Sequence, residues 1–516
     1  MNTIRRTVIA CFVTVSFASA QNEWVLQPWV QVEGTVNGQQ LGKHVTGISP
    51  ASNLPYRAAV SKTGSTGLYL LATQNDTTIQ QVFLGEDLLT GDLNNDGYVD
   101  VVVSKTVNDW DTVFVYWGTA LGIDTMDRAA IPGGSQFIRF GARCVGDVNN
   151  DGFDDLVITA NLSTSARGRV DIHLGPAIDP IPNVRILGDT TLSRLGGAAT
   201  VGDLNNDGWN DLVVRGWHNP TSGPSYDYIN VYNGLAPDSV NTVPVWTLKG
   251  YPLTSQGLAC FDANADGIDD LLWTNRDSTN SLNYIAVHFG GTSFDTIPSM
   301  RLQSPDFVGG FGGVITSAGD MNGDSQADIL VGGDQGTITS GFVFVFSGGS
   351  EIDGYFDGAV GQSTNSKFGW SVAGIGDING DGLSDIIVGA PEYDFGTNKG
   401  YWGIFLGDTN IPVTSVEIPD KPHPFGFFLF PNYPNPFNSR TTIAYRLEKP
   451  SLVRLTISNL LGQELETLVG QKQRPGEYRV EFEADKYPSG VYLYKLTVTD
   501  EGGVTQTRTN RMIYIK

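Results

Sequence analysis

The stretch Asp92–Ser104 reads DLNNDGYVDVVVS. It sets three aspartates and two asparagines within nine residues and runs directly into a β-branched segment. The nine-residue phrase returns five times: DVNNDGFDD at Asp147–Asp155, DLNNDGWND at Asp203–Asp211, DANADGIDD at Asp262–Asp270, DMNGDSQAD at Asp320–Asp328 and DINGDGLSD at Asp377–Asp385. The first aspartates are separated by 55, 56, 59, 58 and 57 positions. A period that regular marks one structural unit repeated.

Working outward, each phrase follows a short run such as FGARCVG or FGWSVAGIG. An apolar run comes next: VVVS, LVIT, LVVR, LLWT, ILVG or IIVG. A third run follows (TVFVYWG, RVDIHLG, INVYNG, IAVHFG, FVFVFSG, YWGIFLG), and a weaker fourth, such as VRILGD or VPVWTLKG, closes the unit. These runs alternate or are β-branched and aromatic, as strands require. Four short strands per unit predict one blade of a β-propeller. A solenoid is the competing repeat architecture, and the antiparallel hairpin signals within each unit favour the propeller. A seventh, degenerate unit starts at Leu41–Ser49, LGKHVTGIS; its turn SPASNLP carries no acidic residue and predicts a blade without a metal. The segment Trp24–Glu33 is expected to complete the last blade, so that no sheet edge stays open. Pro412–Ile418 is the alternative fourth strand.

Composition agrees. Gly is 63 of 516 residues and charged residues are only 17%, which suits short strands with tight turns and argues against helical bundles. Hydrophobic content of 40% is enough for a large core. The net charge is −23, and the stretch from Gln21 to Phe428 carries −28 of it against +3 from Leu429 to Lys516. That field disfavours nucleic acid and anionic membranes and favours cations. Residues 1–20 read as a secretory signal, with Arg5 and Arg6, the apolar run Val8 to Phe17, and Ala18-Ser19-Ala20 before Gln21. No segment is long enough to span a bilayer as a helix. Cys144 and Cys260 fall at different offsets in different units and read as buried thiols rather than a disulfide.

The repeated phrase presents oxygen at positions 1, 3, 5, 7 and 9, a donor set for a hard cation, calcium before magnesium. The expected ligands are Asp92, Asn94, Asp96, the Tyr98 carbonyl and Asp100; Asp147, Asn149, Asp151, Phe153 and Asp155; Asp203, Asn205, Asp207, Trp209 and Asp211. They continue with Asp262, Asn264, Asp266, Ile268 and Asp270; Asp320, Asn322, Asp324, Gln326 and Asp328; and Asp377, Asn379, Asp381, Leu383 and Asp385. Up to six calcium ions are expected, in a structural role. An EF-hand is excluded, because position 12 is Val103, Ile158, Val214, Trp273, Val331 and Val388, none of which can bind calcium. The competing reading is an Asx-rich turn without an ion, but three carboxylates together repel unless a cation lies between them. The fifth copy departs from the rest, with Ser325 in place of Gly.

The opposite face of such a ring would carry Trp110, Trp217, His218, Arg276, Asp277, Asp334, Glu392 and Tyr393. Of these, Trp110, Trp217, His218, Asp277, Glu392 and Tyr393 are candidates for gripping a sugar or a protein loop. No catalytic set emerges. His44, His173 and His288 sit in strand-like runs, His423 lies in a linker, and nothing pairs His218 with a nucleophile.

The unit FGWSVAGIGDINGDGLSDIIVGAP at Phe368–Pro391 resembles the FG-GAP repeat of integrin α-subunit propellers and of bacterial secreted proteins. Phe140-Gly141 and Phe311-Gly312 repeat its opening, and Leu195-Gly196 varies it. The resemblance covers about Leu41 to Asp408. It implies a seven-bladed ring with calcium in the loops between first and second strands, not the integrin function. After the Pro-rich stretch with Pro412, Pro419, Pro422 and Pro424, the chain reads LFPNYPNPFNSRTTIAYRL, then ISNLLGQELETLV, PGEYRVEF, SGVYLYKLTV and RMIYIK. This resembles the C-terminal sorting domain of type IX secretion cargo, which implies outer-membrane translocation and removal of the tail. The expected organisation is a signal peptide at 1–20, a propeller at 21–416, a linker at 417–428 and a sorting domain at 429–516. The fold class is all-β: a seven-bladed β-propeller followed by a small Ig-like β-sandwich. The expected function is a secreted or surface-attached binding module. It would meet the type IX machinery through the tail and an extracellular protein or glycan through the ring. The rival is a secreted polysaccharide-active enzyme, a lyase or glycosidase, working on the face opposite the acidic loops.

Overall fold

The computed structural model describes residues 28–514 except 35–39, 49–56, 63–64, 71–78, 84–86, 108–109, 120–121, 134–139, 163–165, 190–191, 221–223, 235–240, 252, 254–256, 277–282, 293, 295, 305–307, 337–340, 350–351, 353, 355, 363–365, 393–398, 410–426, 430–437, 448–449, 460–462, 475, 485 and 501–504. The signal segment, the turn SPASNLP and Pro412–Ile418 lie outside the described residues. Among the described residues, all thirty-five assigned elements are strands. Among the described residues no helix is long and apolar enough to cross a membrane. The chain divides into two compact units, Met1–Val416 and Glu417–Lys516.

Among its described residues the first unit holds seven four-stranded antiparallel sheets. Six are meanders with strands in chain order, spanning 45–83, 87–132, 140–187, 195–250, 258–303 and 308–362. The seventh runs Ser371–Gly376, Asp385–Ala390, Tyr401–Phe405 and then Pro28–Glu33. In that last pairing Gln31, Val32 and Glu33 lie opposite Gly403, Trp402 and Tyr401. Numbered in this order, the first strand of each sheet packs against the first strand of the next, and that of sheet 7 packs against that of sheet 1. The order of sheet neighbours therefore closes on itself.

This layering explains the sequence pattern. The second strands Asp155–Ala160 and Asp385–Ala390 are buried at every residue. A strand inside its sheet, with another sheet on each face, has no polar side, so it reads as a continuous apolar run. The fourth strands Val184–Leu187 and Met300–Gln303 bury only Ile186 and Leu302. They are outer edges and keep polar residues between apolar ones.

The core lies between sheets. Val157, Val170 and Ile172 of sheet 3 meet Leu195, Leu212 and Val214 of sheet 4. Phe311 of sheet 6 is fully buried among Leu272 and Ile285 of sheet 5 and packs edge-on against Phe344 at 5.7 Å between ring centroids. Gly312 beside it has φ +79°, and a Cβ there would stand 2.6 Å from Thr274 Oγ1. The Phe-Gly opening thus needs a wedge at its first position and bare backbone at its second.

The second unit has a three-stranded sheet (Phe427–Leu429, Arg440–Leu447, Gly476–Glu483) and a four-stranded sheet. The latter is ordered Glu464–Gln473, Ser451–Asn459, Gly490–Asp500 and Thr505–Tyr514. Ile443, Tyr445 and Leu447 of the first sheet share one core with Val453, Leu455, Ile457, Tyr494 and Leu496 of the second. Alternating burial along Ser451–Leu455 is what a strand with one core face requires.

Candidate metal centre

Each acidic phrase forms the turn between the first and second strands of its sheet, in sheets 2 to 7. Antiparallel strands alternate direction, so all six turns fall at the same end of their sheets. In the first turn Asp92 accepts the N–H groups of Asp96 at 3.0 Å and Gly97 at 2.9 Å. Asn94 Oδ1 accepts the Asp96 N–H at 3.1 Å, its Nδ2 donates to Asp96 Oδ2 at 3.0 Å, and Asp96 Oδ1 accepts the Tyr98 N–H at 2.9 Å. Asp100, at position 9, receives the N–H of Leu93 on Oδ2 and that of Gly118 on Oδ1.

The pattern recurs. Asp147, Asp203, Asp262, Asp320 and Asp377 each accept the N–H groups of positions 5 and 6. Asp151, Asp207, Asp266, Asp324 and Asp381 each accept the N–H of position 7, on Phe153, Trp209, Ile268, Gln326 and Leu383. Asn149, Asn264 and Asn379 bridge to the position-5 carboxylate as Asn94 does. Asn322 turns its Nδ2 to Asp328 Oδ1 instead, at 3.1 Å. Asn205 Nδ2 faces Asp211 at 3.4 Å, and its buried Oδ1 accepts no hydrogen bond.

The backbone explains the residue types. Position 6 has positive φ in all six turns, at Gly97, Gly152, Gly208, Gly267, Ser325 and Gly382, and Ser325 holds it at +67° without the freedom of glycine. Position 4 also has positive φ throughout, at Asn95, Asn150, Asn206, Ala265, Gly323 and Gly380. That requirement is a feature the sequence reading missed, although Asn and Gly there signal it. A second missed feature is the glycine ending each third strand. Gly118, Gly175, Gly234, Gly290, Gly348 and Gly407 each give their N–H to the position-9 carboxylate. A Cβ at Gly175 would lie 2.7 Å from the Asp154 carbonyl oxygen, closer than side chains come.

Asp100, Asp155, Asp211, Asp270, Asp328 and Asp385 are fully buried. Burial, first of all, raises their carboxyls to about 6 for Asp100, Asp270 and Asp385 and about 7 for Asp155, Asp211 and Asp328. Backbone donors, two for most and three for Asp270, pull each down, and the neighbouring aspartates push it up. Among the described residues, no three His, Cys, Asp or Glu side chains stand close enough to hold a metal ion by themselves. Position 9 is set apart by the backbone N–H groups it receives, two in most turns and three at Asp270. A cation here would draw on asparagine and backbone oxygen as well as carboxylate. The donors fit a hard ion: they are all oxygen, and Asn205 Oδ1 is buried and unsatisfied.

The turns are also joined to one another. Asp154, at position 8 of its turn, accepts the N–H of Asp92 in the preceding sheet at 2.9 Å. Asp269 does the same for Asp203 at 3.0 Å. Asn210 donates Nδ2 to the Asp147 carbonyl at 2.7 Å, and the Ser384 N–H donates to the Asp320 carbonyl at 2.7 Å. From position 4, Asn95 donates to the Gly152 carbonyl of the next turn at 3.1 Å, and Asn150 to that of Gly208.

Three of the expected ligand-face side chains are described, and each has a neighbour of its own. The Trp217 ring lies under the Arg194 guanidinium at 4.4 Å, and His218 packs at a tilt on Tyr226 at 4.9 Å between centroids, both in the neighbourhood of sheet 4. Glu392, in the turn just after the second strand of sheet 7, pairs with Lys367 at 2.7 Å. Asp277, Tyr393 and the side chain of Trp110 lie outside the described residues.

Comparison with known proteins is consistent with these units. The FG-GAP repeat model matches residues 144–173 and 368–401, and the secretion system C-terminal sorting domain matches 432–509. The chain is 29% identical to integrin alpha-5 of Xenopus laevis over 213 residues, 38% of this chain and 20% of that protein. It is 33% identical to integrin alpha-IIb of Mus musculus over 147 residues, 25% of this chain and 14% of that protein. It is also 33% identical to phosphatidylinositol-glycan-specific phospholipase D of Dictyostelium discoideum over 156 residues, 25% of this chain and 16% of that protein. The chain thus spans a fifth or less of the length of these relatives. The class is an all-β protein whose FG-GAP repeats imply a β-propeller. More particularly, it carries integrin-alpha-like FG-GAP repeats and a sorting tail that directs it through type IX secretion to the cell surface or beyond.

Proposed function

We propose that the chain is a calcium-stabilised, seven-bladed propeller that serves outside the cell as a binding or adhesion module. Residues 21–416 form the ring, 417–428 a linker and 429–516 an Ig-like tail that meets the secretion machinery. Calcium is held in the six turns through oxygens at positions 1, 3, 5, 7 and 9, the position-9 carboxylate being the buried one. The observation that carries this reading is the sixfold recurrence of one hydrogen-bonded acidic turn at the same end of successive sheets. A turn alone needs one such aspartate; three in each of six copies are explained by a positive charge between them. The likeness to integrin alpha chains supports the adhesion role.

The test is thermal unfolding of the exported protein with calcium, with EDTA, and with calcium restored, beside a binding screen on glycans and matrix proteins. A melting temperature that falls with EDTA and returns with calcium, together with saturable binding and no product release, is expected. Melting indifferent to chelation overturns the calcium reading. Turnover of a polysaccharide overturns the binding-module reading in favour of the enzyme.

A further inference from the structure

We propose that position 8 of the acidic turn is a positioning residue for the cation site of the preceding sheet, so that neighbouring sites are built in pairs. The proposal rests on the calcium reading above. The argument begins with what a first ligand needs. Asp203 must hold its carboxylate inward, and its backbone sets that direction. The Asp203 N–H is donated across the sheet boundary to Asp269 Oδ2 at 3.0 Å. Asp92 stands in the same relation to Asp154, at 2.9 Å. Between those two pairs, Asn210 reaches Asp147 through its carbonyl instead, at 2.7 Å.

The chemistry changes while the place does not. Position 8 meets the backbone of position 1 whether it offers a carboxylate, an amide or, at Ser384, only its own N–H. That constancy separates the contact from chance surface bonding. At Ala327, position 8 of the fifth turn, no polar side chain is available, so the chain of side-chain clasps breaks between the turns at 262 and 320. Partners that orient a first ligand commonly change metal affinity by about 10–100-fold when removed. Ordering of one turn by its ion should therefore favour the ion of its neighbour.

Trp209 makes the test local. It occupies position 7 of the 203–211 turn, where it can sensitise terbium(III) bound in that turn; Trp209→Phe identifies the signal that depends on it. Terbium is titrated into metal-stripped full-length protein, wild type against Asp269→Ala and Asp269→Asn. The expected result is a Trp209-dependent midpoint raised on the order of tenfold in Asp269→Ala, restored in Asp269→Asn, which keeps an acceptor oxygen but loses the charge. Wild-type protein without Trp209-dependent luminescence overturns the cation reading and the pairing with it. Wild-type luminescence with an unmoved Asp269→Ala midpoint overturns the pairing alone. An Asp269→Asn midpoint as high as that of Asp269→Ala assigns the effect to charge and overturns the positioning role.

Discussion

Gly407 donates its backbone N–H to Asp385 Oδ1 at 3.0 Å. The bond fastens the end of a third strand over the acidic turn of the same sheet. It can form only because nothing projects from Gly407: a Cβ there would meet the Ser384 carbonyl oxygen at 2.6 Å. Gly407→Ala is therefore expected to cost about 1–3 kcal/mol by overpacking. The measurement is a fall in the denaturant midpoint with an unchanged slope. An unmoved midpoint would show that the strand end can lift away freely.

The position-9 carboxylates make a prediction about pH. Their folded values, about 6 or about 7, lie above the ordinary 3.8. Metal-free folded protein then holds protons that the unfolded chain has released, so its stability falls as pH rises from about 4 towards 7. Calcium requires the ionised turn, so its stabilising increment runs the other way, large above about pH 7 and lost as pH falls through 6. Melting curves in EDTA and in calcium at pH 5, 6 and 7.5 should converge at the acid end and separate at the alkaline end.

Asp203→Ala removes the acceptor for two backbone N–H groups, those of Asp207 and Gly208. It also removes the first oxygen of one turn. Calorimetric titration of calcium should lose one equivalent relative to wild type, while far-UV circular dichroism keeps its β signature. An unchanged stoichiometry would exclude that turn as a site.

Arg215 and Asp227 form an ion pair that is almost wholly buried in sheet 4. Burial, the largest influence on each, drives the arginine down and the aspartate up, so each depends on the other to stay charged. Arg215→Met strands a buried carboxylate and should cost about 3–5 kcal/mol, whereas the double variant with Asp227→Leu should recover much of that loss. Chemical denaturation of both variants measures the difference.

Much of this architecture is readable from local pattern. LVIT at Leu156–Thr159 announces a strand covered on both faces, and the acidic phrase before it announces the turn. What stays hidden depends on a neighbour remote in sequence. Asp154 looks like a solvated acid beside Asp155, because its partner Asp92 lies 62 residues earlier in another sheet. Glu392 looks available for a ligand, yet it is engaged by Lys367, which its own strand-like run does not contain. Gly175 was visible as a glycine, but its reason, a carbonyl pressed against it, exists only once the turn is folded.

The strand Pro28–Glu33 closes the seventh sheet from the amino-terminal side, beside Tyr401–Phe405. None of that sheet's four strands comes from beyond Phe405. A protease that cuts the polypeptide in 417–428 would therefore sever no strand pairing of that sheet. A chain that lost its tail after export would keep all four strands of that sheet, the amino-terminal one included.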